Sequence, residues 1–471
     1  MGFNRYAGMP VIALLSVLAC SPGNGAAAHP TPSPPPGAGA AGIGDAAFPL
    51  DGNGGYDVAH YNLAIGYTPA TRLLDGVATI DARAAQWLSR FNLDLSGLKV
   101  RKVSVDGAAA TFTRQGDELT VAPAKPLAPG AAFKVQVSYA GRPQPLKDAA
   151  NLGTFGFIPT SDGAFVACEP NGAKTWFPAN DHPADKATFD FQITVPKGLT
   201  ALANGELAGK PTTSAGRTTF RWREGHPMTT YLATATLGDF ELRQGRTPGG
   251  IPNVTAVDPA YRGSLDSLYT NSSRITDHWA KIFGPYPFSS TGGVIDNFAA
   301  GYALENQTKP LYGGFHPDDG IIAHELAHQW FGNSVSIKRW KDLWLNEGFA
   351  TYAEWLWWDH TGKSTTEATF RRNLARPAGD RIWSYPPGEA RPRNLFNESV
   401  YTRGGMTLHA LRKEIGDRTF FELLKTWTEQ HKYGNATTPE FIALAQQLSG
   451  KDLRSLFDVW LFQPHKPAWP T

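Results

Sequence analysis

Cysteine is nearly missing: the chain has 471 residues and only two of them, Cys20 and Cys168. Cys20 lies in a segment read below as an export signal, so no internal disulfide is expected and the core must hold the fold. After that segment, no run is long and apolar enough to read as a membrane span. Charge of one sign is equally scarce. There are 44 Lys and Arg against 42 Asp and Glu, with no long basic run, so nothing resembles a nucleic-acid footprint. Internal repeats are also missing.

An apolar fraction of 41% with 14 tryptophans suits a globular protein, and the length calls for more than one core. The first twenty residues read as an export signal, with Arg5 before the short apolar run Met9 to Ala19. Two exits are open. Val17-Leu18-Ala19-Cys20 resembles a bacterial lipoprotein box with Cys20 lipidated, whereas Ala26-Ala27-Ala28 offers ordinary cleavage before His29. The expected location is therefore secreted, or lipid-anchored on the outer face of the membrane. Residues 29–50, rich in Pro and Gly, read as a disordered tether behind a signal peptide over 1–28.

From about Tyr56 to Leu242 apolar residues alternate, as in Phe91, Leu93 and Leu95, or Phe133, Val135, Val137 and Tyr139, or Phe189, Phe191, Ile193 and Val195. That period predicts an all-β domain over 51–247. The texture changes around Gly249-Gly250-Ile251-Pro252. Helical spacing follows at 265–283, 320–331, 342–359, 404–415 and 420–431, predicting a mostly helical domain over 248–471.

Inside the helical half stands His324-Glu325-Leu326-Ala327-His328. Asp318 or Asp319 can cap this helix and Gly332 can end it. Residues four apart share one helix face, so both imidazoles can reach one ion, while Glu325 can approach a metal-bound water without ligating. Glu347, in Trp344-Leu345-Asn346-Glu347-Gly348-Phe349-Ala350, follows after eighteen intervening residues on the next predicted helix. Two His and one Glu leave a fourth zinc position for water or substrate, with Glu325 as proton acceptor. Thr351 and Glu354, on the face of Glu347, are candidate partners for the second ring nitrogens of His324 and His328, or ordinary helix-face residues.

The runs HELAHQWFGNSV (324–335) and WLNEGFATYAEW (344–355) resemble the M1 family of zinc aminopeptidases, which are gluzincins. Gly301-Tyr302-Ala303-Leu304-Glu305-Asn306 looks like that family's exopeptidase motif, and Val400-Tyr401-Thr402-Arg403-Gly404 like its catalytic-tyrosine segment. Cys168-Glu169-Pro170 and the stretch from Trp176 to Pro183 resemble the β-domain segment that reaches the site. The likeness runs from about Asn53 to Pro467, in the style of short exported actinobacterial members.

The resemblance implies a β-sandwich or saddle-like domain followed by a thermolysin-like zinc domain, without the helical-repeat domain of many relatives. It implies one zinc per chain and a monomer acting on peptides with a free amino end. Tyr401 becomes the oxyanion donor. Glu305 and Glu169 become the anchors for the substrate ammonium, with Ala303 and Leu304 holding the peptide backbone and Asn306 completing the substrate-binding stretch. Tyr302 stands where the family motif has glycine, which puts the shape of the groove there in question. A thermolysin-like endopeptidase on the same scaffold is the alternative. A non-catalytic binding protein is a further one, against which the intact Glu325, Tyr401 and ligand set speak.

Overall fold

The computed structural model describes residues 37–148 and 153–468. The export signal, Cys20 and residues 29–36 of the expected tether lie outside them. Alternation produces the first half as expected. Tyr56–Thr68, Leu73–Ala84, Ala132–Gly141 and Lys99–Val105 follow one another as antiparallel neighbours, and Lys186–Pro196 joins Tyr56–Thr68 in parallel. Each long strand buries every second side chain, so Phe189, Phe191, Ile193 and Val195 are all at most 2% exposed. A second sheet contains the short strand Ala164–Ala167, whose four residues are all buried. That strand ends two residues before Glu169.

Two expectations are corrected. Residues 37–50 are not a loose tether. Gly37–Ala38 pairs with the strand Leu88–Asp94, and Asp45 is 3% exposed. Asp45 accepts hydrogen bonds from the backbone of Trp340 at 2.9 Å and from His182 at 3.1 Å, so a polar contact overrides a low-complexity composition. The second half also opens on a sheet rather than on helices. Glu241–Arg246 pairs antiparallel with Pro252–Val257, so Gly249-Gly250 is the bend of a hairpin and not a boundary between domains. The sheet continues through Thr291–Asp296 and Leu311–Gly313 to the edge strand Ala303–Leu304. These strands are short and interrupted, which hid their period.

Helix α1 spans Leu265–Phe283, as expected, and buries Leu268, Ile275, Trp279 and Phe283. Helix α2 spans Asp319–Ala327 and α3 spans Trp344–Thr361. Asp318 caps α2, its side chain accepting from the backbone of Gly320 and Ile321. Both α2 and α3 are buried nearly all round, since each packs on the other and on further helices.

Candidate active site

Helix geometry places His324 and Glu325 on α2 with His328 at its C-cap, and Glu347, Thr351 and Glu354 along α3 at spacings of four and seven. Packing of α2 on α3 brings Glu347 Oε2 to 3.4 Å from the Nε2 atoms of both His324 and His328. One ligand atom from each residue lies within 4.8 Å of the other two, which fits a single tetrahedral ion. His328 Nδ1 donates to the carbonyl of Phe331 at 3.0 Å, because a carbonyl can only accept. The lone pair of Nε2 is thereby turned toward Glu347. This corrects the expectation that Thr351 or Glu354 holds that nitrogen. Both of those residues line the cavity instead.

The cavity has a volume of about 360 Å³, and its walls include Glu169, Tyr302, Ala303, Glu305, Glu325 and Tyr401 together with the three ligands. Leu304 and Asn306 are buried behind it rather than lining it. The side chain of Asn306 donates to the carbonyl of Leu232 at 2.8 Å, tying this segment to the β domain. Among the described residues Ala303–Leu304 pairs on one side only, with Leu311–Gly313, which leaves its other edge able to add an extended peptide. The Tyr302 hydroxyl donates to the carbonyl of Thr154 at 2.7 Å, which draws its ring into the cavity wall.

Four carboxylates, Glu169, Glu305, Glu325 and Glu347, are each at most 4% exposed here. Oε1 of Glu169 and Oε1 of Glu305 have no hydrogen-bond partner among the described residues. Burial raises the Glu169 carboxyl well above its usual range, and Glu305, Glu347 and Glu325 push it further. Burial likewise raises Glu305, against the pull of His328. Burial alone would lift Glu347, but His328 and His324 outweigh it and hold the carboxyl at about 2. Burial dominates at Glu325, whose carboxyl is driven far up and so has a strong appetite for a proton. Such crowding of buried acids calls for cations, and the geometry offers two places for them: among the three ligands, and beside Glu169 and Glu305.

Tyr401 stands on a π-helical turn, Ser399–Arg403, with its ring stacked near His324 at 6.2 Å between centroids. Burial, and then the carboxylates around it, keep its hydroxyl protonated and able to donate. Several residues that position this site were given no role of their own in the sequence. Gln329 and Asn333 donate to the backbone carbonyl of Glu305 at 3.1 and 2.8 Å. Lys186 donates to the carbonyls of Asn333 and Ser334 at 2.8 and 2.9 Å, fixing the turn after α2 from the β domain. Arg403 spends its guanidinium on the carbonyls of Trp383, Val459, Trp460 and Gln463, which holds the turn of Tyr401. A polar run directly after a zinc-type helix was the one available signal.

The peptidase M1 N-terminal domain matches residues 58–232, and the peptidase family M1 domain matches residues 318–460. The chain belongs to peptidase family M1. It is similar to aminopeptidase N of Lactococcus lactis subsp. lactis, 32% identical over 328 residues, covering 63% of this chain and 38% of that protein. It is also similar to a leucyl aminopeptidase of Saccharolobus solfataricus, 27% identical over 80% of this chain and 50% of that protein. The chain thus spans half or less of the length of these curated M1 relatives. A solved M1 zinc metallopeptidase from Deinococcus radiodurans superposes with a TM-score of 0.83 at 28% identity, covering 91% of this chain and 98% of that one. A mutant of the same enzyme, bound to a Tyr-Ser-Ala substrate, superposes with a TM-score of 0.82.

Proposed function

We propose that this M1 chain is a zinc-dependent aminopeptidase that hydrolyses the first peptide bond of peptides with a free α-amine. One observation carries the reading: the unpartnered buried oxygens of Glu169 and Glu305 face the cavity that the zinc-type triad also lines. A peptide ammonium is the cation whose size and hydrogen bonds suit that place. Relatives named as aminopeptidases, and a neighbour solved with a tripeptide substrate, support the same class of substrate.

His324, His328 and Glu347 would hold one zinc ion. When bound, zinc supplies Lewis acidity toward the scissile carbonyl and acidifies a water. Glu325 accepts a proton from the attacking water and passes it to the leaving amine. The Tyr401 hydroxyl donates to the oxygen on which negative charge develops. Main-chain groups at Ala303 align the peptide along the free strand edge. The buried pair Glu169 and Glu305 fixes the distance from the ammonium to the scissile bond, so the enzyme counts one residue from the end.

The deciding test compares one peptide with a free and an acetylated amine on the wild type and on Glu305→Gln. Acetylation should cost at least about 2–4 kcal/mol of transition-state binding, the scale for breaking a buried charge pair. Equal cleavage of both forms by the wild type would make the enzyme an endopeptidase. Residues 1–28 we read as an export signal, and the mature chain as a monomer. Mass spectrometry of protein from its native host separates a lipidated Cys20 from a start at His29, and an intact Met1 would refute both.

A further inference from the structure

Beside the zinc triad the chain brings together a second set of ion-binding atoms. One carboxylate oxygen each from Glu169, Glu305 and Glu347 lies within 4.8 Å of the other two. The three residues come from different elements. Glu169 follows the strand Ala164–Ala167, Glu305 directly follows the edge strand Ala303–Leu304, and Glu347 lies in the first turn of α3. Gln329 and Asn333 pin the main chain of Glu305 from beyond α2. The fold therefore assembles the set before any ligand arrives.

Each of the three is at most 3% exposed, and all line the cavity. Oε1 of Glu169 and Oε1 of Glu305 are buried without a hydrogen-bond partner among the described residues. Glu347 pairs with the imidazoles of His324 and His328, and no lysine or arginine is among the residues that line the cavity. Buried carboxylates without a cation of the chain's own are costly, and a bound ion offsets that cost. A further grouping, Glu305 with Glu325 and His328, uses an imidazole that the zinc triad already takes.

With both imidazoles committed to the triad, the second set offers carboxylate oxygen and nothing else. Such a set suits hard cations such as calcium or manganese, whereas imidazole suits zinc. Oxygens opposite one another around calcium stand about 4.6–5.2 Å apart, so the spread of these three fits one ion of that size. Glu347 belongs to both sets, and a carboxylate has an oxygen for each. The aminopeptidase reading gives this same place to the peptide ammonium. A divalent ion brings twice the charge, and the two cations cannot share these oxygens.

We propose that Glu169, Glu305 and Glu347 form a second metal site, for a hard divalent cation, which the substrate ammonium must displace. Hard divalent ions are thereby competitive inhibitors of cleavage. The inference rests on the aminopeptidase reading and deepens it.

The test adds Mn²⁺ to the zinc-loaded full chain and follows the signal of free Mn²⁺ by electron paramagnetic resonance. Manganese binds nitrogen-containing sites more weakly than zinc does, so zinc should stay at one per chain. One Mn²⁺ should bind per chain, and Glu169→Gln should bind it at least about tenfold more weakly. Alaninamide should release the bound ion, and N-acetylalaninamide should not. In steady-state cleavage of an alanyl peptide, Mn²⁺ should raise KM and leave kcat unchanged. Four results would each overturn the proposal: no Mn²⁺ bound at millimolar concentration, binding only as zinc is lost, equal binding by Glu169→Gln, or an ion that alaninamide does not release. The comparison of free with acetylated peptide, run without added metal, tests the aminopeptidase reading separately. A wild type that prefers the free amine keeps that reading whatever Mn²⁺ does. The wild-type titration and the alaninamide competition decide even where Glu169→Gln fails to fold.

Discussion

Gly348 and Gly404 meet backbone to backbone, where the helix of Glu347 meets the helix that follows Tyr401. A Cβ built on Gly404 would stand 2.8 Å from Cα of Gly348, and one on Gly348 would stand 2.9 Å from Cα of Gly404. Neither neighbour is a flexible side-chain tip, so any larger residue must push the helices apart. Gly404→Ala should therefore shift Tyr401 relative to the zinc ligands. We expect turnover to fall by about 100-fold, the scale for a misplacement of about 1 Å, while zinc is retained. Steady-state kinetics and metal analysis on the same sample check this; unchanged kcat would mean the contact does not place Tyr401.

Removing a ligand should act on binding rather than on chemistry. Glu347→Ala leaves two imidazoles and an incomplete shell, so stoichiometric zinc should be lost on dialysis. Glu325→Gln should keep its zinc and lose turnover by roughly 10²–10⁴, since a carboxamide cannot accept the proton. Zinc content by atomic emission separates the two variants. A Glu347→Ala protein with full zinc and full activity would sink the ligand assignment.

Tyr401→Phe removes only a hydroxyl. Its hydrogen bond strengthens as charge develops on the oxygen, so kcat should drop by about 10²–10³ with little change in KM. A variant with raised KM and wild-type kcat would assign Tyr401 to ground-state binding instead.

Asp45 gives a test of stability. Burial pushes its carboxyl up, but bonds from His182, Ala47 and Trp340 win and hold it below its ordinary value. The folded state thus prefers the ionised form. Its contribution is present above the unfolded value of about 3.9 and is lost as pH falls through the lower folded value. Asp45→Ala should cost about 1–3 kcal/mol at pH 7, because the buried amide of Trp340 loses its acceptor. Thermal melts should show the gap between wild type and variant shrinking below about pH 4. A gap that is constant with pH would show that the ionised form carries nothing.

Much of this protein was legible without its structure because the responsible physics is local. Helical spacing put His324 and His328 on one face whatever packs around them, and alternation marked Phe189 to Val195 as strand. The limits of α1 were also readable, since Leu265–Phe283 carries an unbroken helical period. Tertiary structure decided the rest, because it depends on which distant residues become neighbours. Asp45 and Trp340 are 295 positions apart, and nothing in a Pro- and Gly-rich stretch announces a buried carboxylate. The sheet from Glu241 to Gly313 escaped notice because its strands are too short to show a period, and pairing across 38 residues, as between Asn253 and Thr291, supplies their order. Glu354 sits on α3 as its spacing requires, yet only the packing of α2 and α3 made it part of the cavity wall. A helix sets the direction of each side chain, and the fold sets what lies in that direction.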